Sequence, residues 1–306
     1  MSEAVPMTEP VTSDNQARLA AAAATIRKLR SRIEALSGRD GAGQQHVPVA
    51  VTGAALRMPG GAADPDAFWE LLRDGADTTG DFPASRADAR SVFDPDPDHP
   101  GTAYVTRGAF LDEVDGFDPA VFGISPREAV GMDPQQRIAL ELAWEALESA
   151  GYAPTELRGR RIGVYLGIST TDYVRMRQQF GDPDDIDAYQ LIGEPSFIAG
   201  RISYTLGLRG PSMVIDTTCS SGLVAVHQAC QALAADECEM ALAGAVNLML
   251  SPYGFLLMSK FRALAADGRC KTFDAAADGY ARGEGAGVVV LRRLPEARAA
   301  SDPVLA

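Results

Sequence analysis

Apolar residues along this chain recur with two different periods. Over residues 14–37, Leu19, Ala22, Ile26, Leu29, Ile33 and Leu36 alternate steps of three and four. That spacing is the a/d seam of a short coiled-coil helix. Ser13 to Gln16 fits a capping box at its start, and Gly38 a stop at its end. Residues 1–13 are polar and contain Pro, which predicts a disordered N-terminus, and Gly38 to Gln45 reads as a linker (38–46). A helix lying on its own domain is the competing reading; the linker and the regular seam favour a separate element. Arg27, Lys28, Arg30 and Arg32 flank the seam.

From residue 47 to residue 306 the pattern changes to short apolar runs alternating with helical stretches. Val47 to Val51, Arg161 to Ile168, Met213 to Ile215, Glu239 to Val246 and Val288 to Leu291 read as buried strands. Asp64-Pro65 opens a helix that buries Phe68, Trp69 and Leu72 and ends at Gly75. Residues 76–107 are rich in Asp, Pro and Gly and read as a long surface loop. Asp133 as N-cap, Pro134 and a capping-box Gln136 open a helix with Leu140, Ala143, Trp144 and Leu147 on one face. A further helix covers Phe197 to Tyr204, where Gly200 is expected to admit a close neighbour. Strands alternating with helices predict a layered α/β domain.

Composition narrows the function classes. In 306 residues, 41 acidic against 28 basic side chains give a net charge of −13, which argues against a nucleic-acid surface. The four cysteines, Cys219, Cys230, Cys238 and Cys270, form no C-x-x-C pair, so we expect a reduced, cytoplasmic protein with no disulfide framework and no metal site. No signal peptide and no bilayer-length apolar run is visible.

The chemistry concentrates at Pro211-Ser-Met-Val-Ile-Asp-Thr-Thr-Cys-Ser-Ser-Gly-Leu-Val-Ala-Val-His227. A short strand turns at Asp216 to Cys219 into a helix over Leu223 to Ala234. Cys219 thus meets a helix N-terminus, where unpaired N–H groups favour a thiolate and lower its pKa. Position alone leaves a nucleophile and a buried structural cysteine both open. Gly279 to Gly287 holds four glycines, but a phosphate-binding loop follows a strand and opens a helix, and here the strand comes after. Close backbone packing is the better reading of those glycines, with no nucleotide bound.

The segment Asp216-Thr-Thr-Cys-Ser-Ser-Gly-Leu223 resembles the active-site motif of β-ketoacyl synthases, in particular the ketosynthase domain of modular or iterative type I polyketide synthases. That family's usual wording is Asp-Thr-Ala-Cys-Ser-Ser-Ser-Leu, so Thr218 and Gly222 depart from it. Leu56-Arg-Met-Pro-Gly-Gly61, Met132-Asp-Pro-Gln-Gln-Arg137 and the Asp278, Gly279, Arg282, Gly283, Glu284, Gly285 and Gly287 signature match as well. The resemblance runs from Val47 nearly to the end. It implies the first half of a thiolase-like fold with five αβαβα layers, and a strand before Cys219 that pairs across a homodimer axis.

The resemblance also implies a function. Cys219 would take an acyl chain from the phosphopantetheine of an acyl carrier protein, with no cofactor bound directly, and a malonyl-type extender would condense onto it. The family uses two histidines and a lysine for that step. Of the three histidines here, His46 falls in the linker and His99 in the 76–107 loop. His227 follows Cys219 by eight residues on one helix, roughly 12 Å at helical rise, so it reads as a core or interface residue. Lys271 is outside the family's lysine motif. The family's histidine motifs are not in these residues, so this chain alone is expected to carry the nucleophile without condensing, with at most slow acyl transfer. Expected partners are an acyl carrier protein, a second ketosynthase half, an acyltransferase domain, a homodimer mate, and an upstream synthase subunit docking on residues 14–37. The alternative is a non-catalytic docking or scaffold subunit with a vestigial Cys219. A chain-initiating decarboxylase would replace the cysteine, which counts against that class. A lone half is expected to aggregate or pair.

Overall fold

The computed structural model describes residues 47–86, 89–182 and 188–306, with five exposed helical positions at Ala24, Thr25, Arg27, Lys28 and Ser31. The rest of the expected seam, the linker and His46 lie outside the described residues. The chain divides into two compact units, Met1–His46 and Val47–Ala306. Among the described residues no helix is long and apolar enough to cross a membrane.

The larger unit is built on a five-stranded sheet of order β1-β8-β6-β4-β5, namely Val49–Arg57, Gly285–Arg293, Met240–Asn247, Ile162–Gly167 and Ser212–Ile215. β4 lies parallel to both β5 and β6, while β8 runs antiparallel to β6 and β1. Strand residues alternate between the two faces. Val164, Leu166, Leu242 and Val290 point into one core with the helices α3 (Pro134–Ser149) and α6 (Ile198–Leu206). Tyr165, Ala241, Ala243 and Leu291 point into the other, where Ala225, Ala229 and Leu233 of α7 (Ser221–Ala234) cover them. The result is an α–β–α stack. A small sheet of β2 (Thr79–Asp81), β3 (Arg107–Ala109) and β7 (Arg282–Gly283) sits beside it.

Helix ends follow the sequence closely. Asp64 accepts the Ala67 N–H at 2.8 Å and Gly75 closes α1 (Pro65–Asp74) in the left-handed region. Asp133 accepts the Gln135 N–H at 2.8 Å ahead of Pro134.

Several expectations are corrected. The first strand runs beyond Val51, through Gly53 to Arg57. A Cβ on Gly53 would stand 2.4 Å from the Ala146 carbonyl oxygen, so this glycine serves strand-on-helix contact. In α1 the half-buried stripe is Phe68 and Leu71, while Trp69 and Leu72 are 62% and 59% exposed. Residues 76–107 are not simply a surface loop: Phe82, Ala89, Ala103 and Val105 form a third core with Met249, Phe255 and Leu264. Gln136 completes no capping box; its amide donates to the Ile192 and Glu194 carbonyls instead. A Cβ on Gly200 would meet nothing within 4 Å outside its own helix backbone, so this glycine admits no close neighbour. β5 is the sheet edge and only half-buried, with Met213 exposed. β8 begins at Gly285, so its last glycines lie inside the strand.

Candidate active site

The carboxyl ends of the parallel strands β4, β5 and β6 converge with the start of antiparallel β8, and a cleft of about 680 Å³ opens there. Clefts of α/β sheets form at this end because the strands stop and the connecting turns diverge. Thr218, Cys219 and Gly222 line it, together with Val246, Asn247, Tyr280 and Arg282.

Cys219 sits in a 3-10 turn, Thr218–Ser220, that feeds directly into α7. The thiol is exposed to the cleft rather than packed as core. Thr218 holds φ at +57°, an uncommon conformation for a β-branched residue. The turn is held by its own polar groups. Thr218 N–H donates to Asp216 Oδ1 at 3.0 Å, and Thr217 N–H to Ser221 Oγ at 2.9 Å. The Ser221 hydroxyl donates in turn to the Thr218 carbonyl at 2.7 Å, and Ser220 to the Thr217 carbonyl at 2.9 Å. These bonds replace the ladder partners that a tight corner gives up, so the position of Cys219 is fixed locally.

Two glycines set how closely this corner approaches the sheet. A Cβ on Gly167 would stand 2.8 Å from Gly222 N, and one on Gly222 would stand 3.1 Å from Ala245 Cβ. The glycines of the 279–287 segment behave similarly. A Cβ on Gly279 would meet Ala265 N at 2.4 Å, at φ +154°. Gly285, also at +154°, would meet Met58 Sδ at 2.9 Å.

The other titratable candidates are placed as follows. His227 is exposed on the outer face of α7 beside Leu223, itself 80% exposed, so it is not a core histidine. His99 is exposed and bonded to Asp94. Lys271 bridges Asp267 and Asp278 at 2.8 Å each. Cys238 is buried, which pushes its thiol up to about 11, and burial also raises Cys230. Cys270 accepts the Ala281 N–H at 3.2 Å. Of the four cysteines, Cys219 alone lines the cleft. Sequence reading missed Asn247 and Tyr280, which reach the cleft from separate segments with no spacing signal. Asn247 donates to the Gly283 carbonyl at 2.7 Å and ties the end of β6 to β7.

Residues 46–297 match the family model of the β-ketoacyl synthase N-terminal domain. The chain is 52% identical over 260 residues to a phenolphthiocerol/phthiocerol polyketide synthase subunit of Mycobacterium bovis, covering 85% of this chain and 14% of that protein. It is 48% identical over 268 residues to the erythronolide synthase EryA2 of Saccharopolyspora erythraea, covering 87% and 8%. An oxazolomycin ketosynthase domain from Streptomyces albus superposes with a TM-score of 0.77 at 38% identity, over 84% of this chain and 44% of that one. The ketosynthase from module 6 of the Bacillus subtilis bacillaene synthase gives 0.74 at 38% identity, over 84% and 42%. The chain thus spans a small part of the curated relatives and under half of the solved domains.

Proposed function

The chain belongs to the β-ketoacyl synthase family, and from that membership we propose that it supplies the acyl-accepting half of a polyketide ketosynthase. Its α–β–α stack is the first half of a thiolase-like fold. The observation that carries the reading is Cys219 on a locally braced corner, open to a cleft formed where three parallel strands end.

In this reading the Cys219 thiolate attacks the carbonyl of an acyl thioester presented on a carrier protein's phosphopantetheine. The tetrahedral intermediate expels the carrier thiol and leaves an acyl-cysteine. A malonyl-type thioester then loses carbon dioxide, and its enolate attacks the acyl carbonyl. The C–C bond forms as Cys219 leaves as thiolate, and the β-ketoacyl chain ends on the carrier. Among the described histidines, His99 and His227 do not line the cleft with Cys219. We therefore assign decarboxylation and enolate stabilisation to groups outside these 306 residues, in a second ketosynthase half, so the chain by itself is inactive in condensation.

The remaining partners are part of the same proposal: an acyltransferase domain, a homodimer mate and a cytoplasmic setting. The half-buried edge strand β5 suits pairing with a second copy. Residues 14–37 are assigned to docking an upstream subunit, with residues 1–13 before them and 38–46 linking them to the larger unit. The test is condensation by the intact synthase given an acyl thioester and a malonyl-loaded carrier protein. A β-ketoacyl carrier that disappears in Cys219→Ala supports the proposal; product formation by that variant contradicts it.

A further inference from the structure

After β6 the chain leaves the sheet at Asn247 and runs to Pro252 through buried residues Leu248, Met249 and Leu250. Its backbone N–H groups have lost their strand partners, and a buried N–H without an acceptor costs on the order of 1–3 kcal/mol. Three polar side chains from three distant segments supply the acceptors. Gln135 Oε1 takes the Leu248 N–H at 3.2 Å, Glu284 Oε1 the Met249 N–H at 2.6 Å, and Asp172 Oδ2 the Ser251 N–H at 3.1 Å.

Glu284 is the hub of this set. Its second oxygen accepts the Leu111 N–H at 2.7 Å, and its own N–H donates to the Ala109 carbonyl at 2.8 Å. Arg86 Nη1 meets Oε1 at 2.5 Å, with side chains 8% and 0% exposed. The same guanidinium donates to the Leu111 and Met249 carbonyls at 2.6 and 3.3 Å. Glu284 therefore joins the strand-end loop and the β7–β8 segment to β3 and the residues just after it. It adjoins Gly283, whose carbonyl holds Asn247, and Asn247, Gly283 and Gly285 line the cleft together with Cys219.

We infer that Glu284, with Arg86 as its counter-charge, is a positioning residue for thioester acylation at Cys219: it fixes residues that line the cleft with the thiol, without touching the reacting atoms. The inference rests on the reading of Cys219 as the acyl acceptor. Glu284→Gln keeps the volume but turns one acceptor oxygen into a donor. A buried N–H at Leu111 or Met249 then faces an NH2 group, and Arg86 loses its counter-charge.

The test uses the intact protein and reads three quantities in wild type and Glu284→Gln. Amide hydrogen exchange at Leu111 and Met249 should rise, while that of α7 stays unchanged. Cys219 alkylation by iodoacetamide, which does not need those residues, should stay within about twofold. Acylation by an acyl thioester should fall at least about tenfold, chiefly through a raised KM, because misplacement by about an ångström is felt at that scale. Should Glu284→Gln fail to fold, Arg86→Lys keeps the charge but loses the fork, and a smaller change of the same sign is expected. Alkylation and acylation falling together would make the residue merely structural and overturn the inference, as would unchanged acylation. A wild type that is never acylated would instead overturn the acceptor reading itself.

Discussion

Gly167 at the end of β4 and Gly222 in the first turn of α7 touch backbone to backbone, with only 2.8 Å left between a Cβ added at Gly167 and Gly222 N. The corner that bears Cys219 is seated on the sheet through this contact. Because the opposing atoms are backbone, they cannot swing aside. Gly167→Ala should push the corner off its seat and cost about 1–3 kcal/mol. Denaturant midpoints measure the loss, and the rate of Cys219 alkylation should change with it.

Gly222 leaves a different kind of gap. A Cβ there would stand 3.1 Å from Ala245 Cβ, a small side chain on β6. Gly222→Ser is expected to destabilise by about 1 kcal/mol or somewhat more, and Ala245→Gly in the same molecule to recover part of it. A double-mutant cycle measures the coupling, and strict additivity would show that the two positions do not press on each other.

These contacts also show what a sequence makes legible. The Cys219 corner could be read because an apolar run, an Asp-Thr-Thr turn and an Ala-rich helix follow one another within a few residues. The caps at Asp64 and Asp133 were readable for the same local reason. Gly53 was not, since a glycine is written identically whether it turns a chain or admits the Ala146 carbonyl from another element. Trp69 and Leu72 looked like core by composition, yet the helix turns Phe68 and Leu71 inward. The pair Arg86 and Glu284 lies 198 residues apart, and nothing in the spacing announces it.

Asp133 gives a pH prediction. Burial is the largest influence on its carboxyl and pushes it up to about 6 from 3.8, against the pull of the Gln135 N–H groups. The folded state therefore holds a proton that the unfolded state has released between about pH 4 and 6, and stability falls as pH rises through that window. The contribution lost is about 2–3 kcal/mol. Asp133→Asn retains a side-chain acceptor for the helix cap and should flatten this part of the profile. Unfolding free energies at pH 4, 5, 6 and 7 read the difference; an unchanged slope would show that Asp133 does not carry it.

Arg292 and Asp302 form an almost fully buried pair at 2.6 Å, and Asp302 also accepts the Tyr152 hydroxyl at 2.7 Å. Removing the carboxylate strands a buried guanidinium. Asp302→Ala should cost about 3–5 kcal/mol, well above the effect of removing an exposed pair such as Arg161 and Asp236. Thermal unfolding of the two variants side by side makes the comparison.

The most direct measurement is intact-protein mass spectrometry after incubation with an acyl thioester. It compares this chain alone, the chain together with a second ketosynthase half, and Cys219→Ala under both conditions. We predict one acyl adduct, dependent on Cys219 and strongly increased by the second half. A folded wild-type pair that stays unmodified, or an adduct that persists in Cys219→Ala, would contradict the assignment of Cys219 as the acyl acceptor.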